Sequence, residues 1–185
     1  MPDLILASRS PQRRAILEQL GVKFSVTAPD VEELEEGPPV EVALENAYRK
    51  AAVVSAESSG AMVLGVDTVV HFGGRIYGKA GDAAAARSTL SALSGRRHAV
   101  ISGLCLTLGG DSRTAAATTL VDFRQLDDHL IEWYLSSGDW RERAGAYAIQ
   151  GRGAALVAGI EGDYWNVVGL PVATLLELEP GLVAD

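Results

Sequence analysis

The sequence has few residues of the kinds that build disulfides, metal clusters or membrane spans. One cysteine, Cys105, and three histidines occur among 185 residues, which excludes an internal disulfide and a thiolate metal cluster. No run approaches the roughly 18 apolar residues of a membrane-spanning helix, and the short N-terminal apolar run has no basic residues before it. These absences predict a chain that is neither secreted nor membrane-spanning and fit a reducing, cytoplasmic setting.

Positive charge is also in short supply. The formal net charge is -8, and thirteen arginines are accompanied by only three lysines, Lys23, Lys50 and Lys79. Binding to a nucleic acid polymer needs a basic face, so this charge excludes a protein whose whole surface holds nucleic acid. A smaller polyanion would have to bind in a local cationic pocket.

Several common catalytic motifs are missing. H-E-x-x-H, G-x-S-x-G and G-x-G-x-x-G do not occur, and the three histidines lack metal-site spacing. The segment GGRIYGKA is close to the phosphate-binding loop G-x-x-x-x-G-K-[ST], but Ala80 stands where the magnesium-binding hydroxyl belongs. We therefore reject that motif, and on this pattern alone Lys79 is a surface lysine after a short strand.

Helix and strand signals alternate along the chain. Helices are expected at 11–20, 40–57, 82–95, 127–136 and 171–179, and strands at 3–7, 23–28 and 62–72. Two long runs of strand-forming residues between 98 and 123 flank a hairpin signal at Gly109. The interleaving predicts an α/β fold with a mixed sheet flanked by helices. Length and 48% apolar content predict one domain over residues 1–185, with two lobes as an option.

The first predicted turn contains the sequence S-R-S-P-Q-R-R, which begins at Ser8. Ser10 is a good helix N-cap and the proline after it suits the first helical position. Arg13 and Arg14 then lie in the first helical turn, where the macrodipole disfavours cations. Two interpretations remain open. Either the arginines are solvated surface residues, or a phosphate bound by the helix N-terminus and both serines neutralises them.

One carboxylate interrupts an apolar run. Asp67 lies in MVLGVDTVVHF, and a carboxylate in a buried strand costs several kcal/mol unless it is paired, protonated or bound to a metal. A structural and a functional role both account for it. In the functional role Asp67 holds Mg²⁺ or accepts a proton from water, and Glu32 and Glu33 of the acidic loop, residues 29–39, complete the site.

Six segments are more specific together than any of them alone. They are S-R-S-P-Q-R-R at 8–14, G-V-D-T-V-V at 65–70, G-K at 78–79, L-S-G-R at 93–96, A-G-A-Y-A-I-Q-G at 144–151 and G-D-Y-W-N-V-V-G-L-P at 162–171. In this order, over essentially the whole chain, they strongly resemble the Maf family of nucleoside triphosphate pyrophosphatases.

The resemblance implies a role for each matching position. The implied catalytic residues are Asp67, Lys79 and Gln150. The implied substrate-binding residues are Ser8, Ser10, Arg13, Arg14, Lys50 and Thr68. The implied metal ligands are Asp67 and Glu33, which would hold Mg²⁺ or Mn²⁺.

Three positions depart from the family pattern. Gln12 replaces an arginine, which puts the phosphate contacts in question and makes Arg14 or Arg9 a substitute. Ala80 replaces the usual proline after G-K, and Arg143 replaces a lysine. The last two changes alter the expected site less than the change at Gln12.

The resemblance also implies the fold and the reaction. The fold would be α/β like that of the inosine triphosphate pyrophosphatases, two-lobed with a central cleft, often in a homodimer. Thr68 after Asp67, together with the I-Q-G segment, resembles the branch that cleaves dTTP and UTP to the monophosphate and pyrophosphate. The alternatives are a purine or 7-methylguanosine triphosphate pyrophosphatase, or a nucleotide-binding regulator of cell division, because the family is associated with septum formation.

Overall fold

A computed structural model describes residues 3–58 and 60–183. In this part of the chain the strands are β1 (Leu4–Ala7), β2 (Phe24–Val26), β3 (Met62–Phe72), β4 (Arg75–Tyr77), β5 (Arg97–Leu108), β6 (Asp111–Phe123) and β7 (Val157–Glu161). The α-helices are α1 (Pro11–Gln19), α2 (Pro39–Ala56), α3 (Ala83–Leu93), α4 (Asp128–Leu135), α5 (Tyr164–Val168) and α6 (Val172–Leu178). Short 3-10 helices span Gly151–Ala155 and Pro180–Val183.

The strands pair in the order β2-β1-β3-β5-β6-β7, and β4 pairs with β3. β1 is parallel to β2 and β3, whereas β4 is antiparallel to β3 and β7 is antiparallel to β6. Ala7 at the end of β1 lies opposite Gly65 of β3. The residues that follow β1 therefore lie beside the part of β3 that contains Asp67. The expected α/β fold with a mixed sheet is confirmed.

The chain divides into two compact units. Unit 1 contains the described residues of 1–68, 102–117 and 169–185, and unit 2 contains 69–101 and 118–168. β3, β5 and β6 each contribute residues to both units. None of the helices described is long and apolar enough to cross a lipid bilayer.

In unit 1, α2 packs closely against the sheet. A Cβ atom on Gly65 would lie 2.1 Å from the main-chain oxygen of Ala47, and one on Gly103 would lie 2.3 Å from that of Ala43. Because these clashes exclude any side chain, the two glycines allow α2 to approach β3 and β5. Polar side chains on the same face of α2 are thereby brought near Asp67.

In unit 2, a hydrophobic cluster surrounds a buried histidine. Leu90 and Tyr134 are fully buried in this cluster. The Nε2 atom of His98 lies 2.9 Å from the hydroxyl oxygen of Tyr147, and its ring lies edge-on to that of Phe123. Burial lowers the pKa of His98 to about 4, although the nearby main chain and Asp122 act in the opposite direction. His98 is therefore neutral at pH 7.

The sequence-based element predictions hold for β1 and for the helices of seven or more residues, and they fail for some of the shorter elements. The five predicted helices are confirmed to within two residues at each end, and Ser10 caps α1. β2 is shorter than predicted, and β3 continues through Asp67 without a break. The short strand expected before Lys79 is β4, whereas β7 and α5 were not predicted. β4 has only three residues, and β7 contains Gly159 and no fully buried face, so neither shows a readable alternation.

Candidate active site

Serine side chains shape the turn between β1 and α1. Ser10 Oγ accepts a hydrogen bond from the N–H of Arg13 at 3.5 Å and donates one to the side chain of Gln12 at 3.1 Å. The buried Ser8 Oγ accepts from the N–H of Ser10 at 3.1 Å. Within the described residues the N–H groups of Arg9 and Gln12 have no hydrogen-bond partner. Such N–H groups at a helix start attract anions.

Arg13 extends from this turn to four protein oxygens. Its Nε atom lies 2.9 Å from the carbonyl oxygen of Gly169, and its Nη1 atom lies 2.9 Å from that of Val66. Nη1 also donates to Ser8 Oγ at 3.1 Å, and Nη2 donates to Thr68 Oγ1 at 3.1 Å. Four of the five guanidinium N–H groups are thus bonded within unit 1. These oxygens offset the unfavourable helix dipole at Arg13 without an anion.

The two neighbouring arginines differ. Arg14 is exposed and pairs through Nε with Glu18 Oε1 at 2.7 Å, a hydrogen bond that raises the pKa of Arg14. Burial lowers the pKa of Arg13, and the charges of Asp67 and Glu33 oppose that effect. The geometry of Arg14 therefore matches the solvated interpretation, whereas Arg13 ties the turn to β3 and to the segment at Gly169.

Asp67 is buried, with 5% of its surface exposed. Its Oδ1 accepts a hydrogen bond from Lys50 Nζ at 2.6 Å, and its Oδ2 accepts one from Asn46 Nδ2 at 3.1 Å. Burial raises the pKa of Asp67, but the charge and hydrogen bond of Lys50, the charge of Arg13 and the Asn46 hydrogen bond hold it below its ordinary value of 3.8. Asp67 is therefore ionised, and its partners stabilise the charged carboxylate in the buried strand.

Lys50 lies between two carboxylates. Its buried Nζ is 2.6 Å from Asp67 Oδ1 and 3.1 Å from Glu33 Oε1. Asp67 and Glu33 thus converge on one cationic atom. Glu32, the other candidate in the acidic loop, contributes its main-chain oxygen to a 3.1 Å hydrogen bond from Arg49.

The donor set fits a divalent cation only in part. Mg²⁺ is commonly held by one or two carboxylates and completes its shell with water and phosphate oxygens, and Asp67 with Glu33 supplies such a pair. No group of three or more acidic, histidine or cysteine side chains that could hold a metal was found in the described ranges. A metal here would therefore need oxygens from the substrate and water.

Two buried polar residues beside Asp67 and Thr68 were not predicted from the sequence. Asn46 lies between Asp67 and the acidic loop, and the Oγ atom of the buried Ser102 lies 2.9 Å from Thr68 Oγ1. The missed signal was periodicity: positions 46 and 50 fall on the apolar face of α2 with Ala43, Ala47 and Ala51. Asparagine and lysine on such a stripe indicate a buried polar site.

Lys79 and Gln150 belong to unit 2. Lys79 Nζ pairs with Glu142 Oε2 at 3.0 Å, and both side chains are exposed. The main chain beside Lys79 bridges to Ala144 at the start of A-G-A-Y-A-I-Q-G. Gln150 is exposed and precedes a 3-10 helix. Their catalytic roles stay predictions, as do the roles of the unit 1 residues.

Comparison with known proteins identifies close relatives. The chain matches the Maf-like protein family over residues 3–179. It is 44% identical over 180 residues to a protein of Symbiobacterium thermophilum, covering 96% of this chain and 93% of the relative. It is 41% identical over 179 residues to one of Pyrococcus furiosus, covering 96% and 94%. A Myxococcus xanthus protein is 44% identical over 177 residues, covering 95% and 90%.

All three relatives are named dTTP/UTP pyrophosphatase. Among solved structures, a crystal structure of a Vibrio cholerae protein matches with a TM-score of 0.40 and 11% identity, covering 74% of this chain and 71% of that one. A TM-score this low does not establish a shared fold.

Proposed function

The chain belongs to the Maf-like protein family, and from this premise we propose that it is a nucleoside triphosphate pyrophosphatase that hydrolyses dTTP and UTP. The products are the nucleoside monophosphate and pyrophosphate. The observation that carries this conclusion is the identity of 41–44% over almost the whole chain to relatives with that name. These relatives give no support to a 7-methylguanosine triphosphate pyrophosphatase or to a regulator of cell division.

The turn at the start of α1 is the proposed phosphate-binding element. The N–H groups of Arg9 and Gln12 and the hydroxyl of Ser10 can bond phosphate oxygens at a helix N-terminus. Arg13 holds the turn to β3 with four hydrogen bonds and has one N–H left for an anion. Arg14, which is exposed and paired with Glu18, contributes least.

The buried cluster of unit 1 is the proposed chemical centre. Asp67 and Glu33 would hold a divalent cation, and Lys50, which pairs with both, lowers the pKa of Asp67. When bound, Mg²⁺ or Mn²⁺ neutralises phosphate charge and lowers the pKa of a water molecule. Asp67 serves this centre as metal ligand or as general base, and in either role its charge is essential.

The proposed companions of this centre are Lys79 and Gln150. The pair between Lys79 and Glu142 is exposed, so breaking it costs little and leaves the ammonium available for a phosphate oxygen. The Gln150 side chain has both a donor and an acceptor, which match the N–H and carbonyl groups of uracil and thymine. Cytosine exchanges a carbonyl for an amino group and would leave a partner unpaired.

A panel of nucleotides tests the proposed function. Initial rates are measured with UTP, dTTP, CTP and GTP, each with Mg²⁺ and with Mn²⁺. We expect kcat/KM for UTP and dTTP to exceed that for CTP by roughly tenfold or more, because the mismatch leaves a polar group unsatisfied. A preference for GTP would favour the purine alternative, and no hydrolysis of any nucleotide would contradict an enzymatic role.

Gln150→Ala separates two roles of this residue in the same panel. If Gln150 selects the base, the difference between UTP and CTP narrows. An equal loss of rate with UTP, CTP and GTP would instead show that Gln150 acts on the phosphates and would end its proposed role in base selection.

Location and assembly follow from the proposed substrate and the family. Nucleoside triphosphates are cytoplasmic metabolites, so we propose a cytoplasmic location. A homodimer and a single domain over residues 1–185 stay predictions.

A further inference from the structure

Asn46 connects Asp67 to the acidic loop. Its side chain is 1% exposed, and its Oδ1 atom accepts a hydrogen bond from the N–H of Leu34 at 2.7 Å. Its Nδ2 atom donates to the carbonyl oxygen of Leu34 at 3.0 Å and to Asp67 Oδ2 at 3.1 Å. Asn46 therefore satisfies both main-chain groups of Leu34, as a neighbouring strand would, and holds one oxygen of Asp67.

An asparagine at this position is unfavourable for α2 by itself. Asparagine is a weak helix former, and a buried amide costs free energy unless its donors and acceptors are bonded. Leucine has the same number of side-chain heavy atoms and a better helix propensity. The three hydrogen bonds of Asn46 offset this cost, and all of them go to the acidic loop or to Asp67.

The bonds of Asn46 constrain both carboxylates of the cluster. Asp67 Oδ1 is held by Lys50 and Oδ2 by Asn46, so two donors from α2 fix the plane of the carboxylate. Leu34 directly follows Glu33, whose Oε1 lies 3.1 Å from Lys50 Nζ. Fixing Leu34 therefore fixes where the acidic loop presents Glu33.

We infer that Asn46 is a positioning residue. It orients the Asp67 carboxylate and holds the acidic loop at Leu34, so that Asp67 and Glu33 both face the Lys50 ammonium group. The kinetic part of this inference rests on the proposed function. The structural part concerns the hydrogen bonds of Leu34 and is measured without substrate.

Two substitutions separate the two contacts of Asn46. Asn46→Leu removes all its hydrogen bonds, whereas Asn46→Asp keeps an acceptor for the Leu34 N–H and loses the donors to the Leu34 carbonyl oxygen and to Asp67. Arg49→Ala is the matched control, because Arg49 bonds the acidic loop at the Glu32 carbonyl oxygen and does not contact Asp67. Asn46→Ala replaces Asn46→Leu if the leucine variant does not unfold cooperatively.

Each variant is examined by hydrogen exchange of the Leu34 amide, by thermal unfolding and by kcat and KM for UTP. We expect Asn46→Leu to lose protection at Leu34 and to lower kcat by about 10- to 100-fold, the range for residues that orient ligands, with KM changed less than about threefold. Asn46→Asp keeps the protection and loses kcat to a similar extent. Arg49→Ala changes kcat by less than about twofold.

Three results would overturn the inference. Unchanged protection of Leu34 in Asn46→Leu would show that Asn46 does not hold the loop. Normal kcat in Asn46→Asp would show that the bond to Asp67 is not needed. A loss of kcat in Arg49→Ala as large as in Asn46→Leu would assign the effect to general loosening of the loop. If the wild-type protein fails to hydrolyse UTP, the proposed function fails, and the exchange measurement still decides whether Asn46 holds the loop.

Discussion

Two buried polar clusters, one in each unit, differ in their state of charge. In unit 1, Asp67 is ionised because the charge and hydrogen bond of Lys50 overcome the effect of burial on its pKa. In unit 2, His98 and Tyr147 share a 2.9 Å hydrogen bond without an ion pair, and burial lowers the pKa of His98 to about 4 and raises the pKa of Tyr147. The same burial thus leaves one cluster charged and the other neutral.

The difference favours the unit 1 cluster as the proposed chemical centre. A buried ion pair seldom stabilises a protein more than well-packed apolar residues would. Stability alone therefore explains the charged cluster of unit 1 poorly, which favours its proposed role in chemistry on an anionic substrate. The neutral cluster of unit 2 packs its rings edge to face, which is typical of a structural core.

The largest effect is expected on removing the charge of Asp67. Asp67→Asn keeps the shape of the side chain, and we expect kcat for UTP to fall by at least about 100-fold, in the range of lost general-base or metal-binding groups. Asp122→Asn is the control, because Asp122 is a carboxylate paired with Arg97 on the surface, and its kcat should match the wild type. Near-normal turnover by folded Asp67→Asn would remove Asp67 from the mechanism.

The next largest effect is expected on stability when one partner of the buried Lys50–Asp67 pair is removed. Lys50→Met leaves Asp67 buried without its counterion, so we expect the free energy of unfolding in urea to fall by about 3 to 5 kcal/mol. Combining it with Asp67→Leu should restore most of that loss. In unit 2, Tyr147→Phe removes a neutral hydrogen bond and should cost about 1 kcal/mol. Equal losses for Lys50→Met and Tyr147→Phe would contradict the comparison.

The contributions of the two clusters to stability should also change over different ranges of pH. His98 has an ordinary pKa of 6.5 and a folded pKa of about 4. The unfolded chain therefore binds the proton first, and stability should fall by about 3 kcal/mol as the pH drops from 6.5 to 4. The pKa of Asp67 is lowered from 3.8, so its contribution is complete above that value and is lost only as the pH falls through its lower folded pKa.

Urea unfolding at several pH values tests this separation. His98→Gln has no proton to gain between pH 6.5 and 4, so its stability should vary less than that of the wild type over this range. Both proteins should lose stability together at lower pH. A wild-type protein that is equally stable at both ends of the range would show that His98 is not held neutral by burial.

The smallest effect distinguishes the two neighbouring arginines. Arg13→Ala removes four hydrogen bonds within unit 1, and we expect it to lower the free energy of unfolding by about 2 to 3 kcal/mol, even without nucleotide. Arg14→Ala removes one exposed pair and should unfold like the wild type. Equal thermal unfolding of both variants would show that the Arg13 hydrogen bonds do not stabilise the turn.

The local part of the candidate site could be predicted from the sequence. The Ser10 cap and the placement of Arg13 in the first turn of α1 depend on neighbouring residues, which capping rules describe. The cost of burying a carboxylate predicted that Asp67 is paired, protonated or bound to a metal, and the structure pairs it with Lys50 and Asn46. Each of these predictions needed only a short stretch of chain.

The partners of these residues could not be predicted in the same way. Gly169 accepts from Arg13 across 156 residues, and Lys50 reaches Asp67 across 17. The second contact depends on the close approach of α2 to Gly65, which follows from packing in three dimensions and not from local propensity. Neither sequence interpretation of Arg13 included its four protein oxygens, for the same reason.

Product identification tests the central claim most directly. UTP is incubated with the wild-type protein and Mg²⁺, and the products are followed by phosphorus NMR and chromatography. The account predicts UMP and pyrophosphate in equal amounts, with product formation by Asp67→Asn slower by at least about 100-fold. UDP and orthophosphate would contradict the assigned bond cleavage and with it the proposed function.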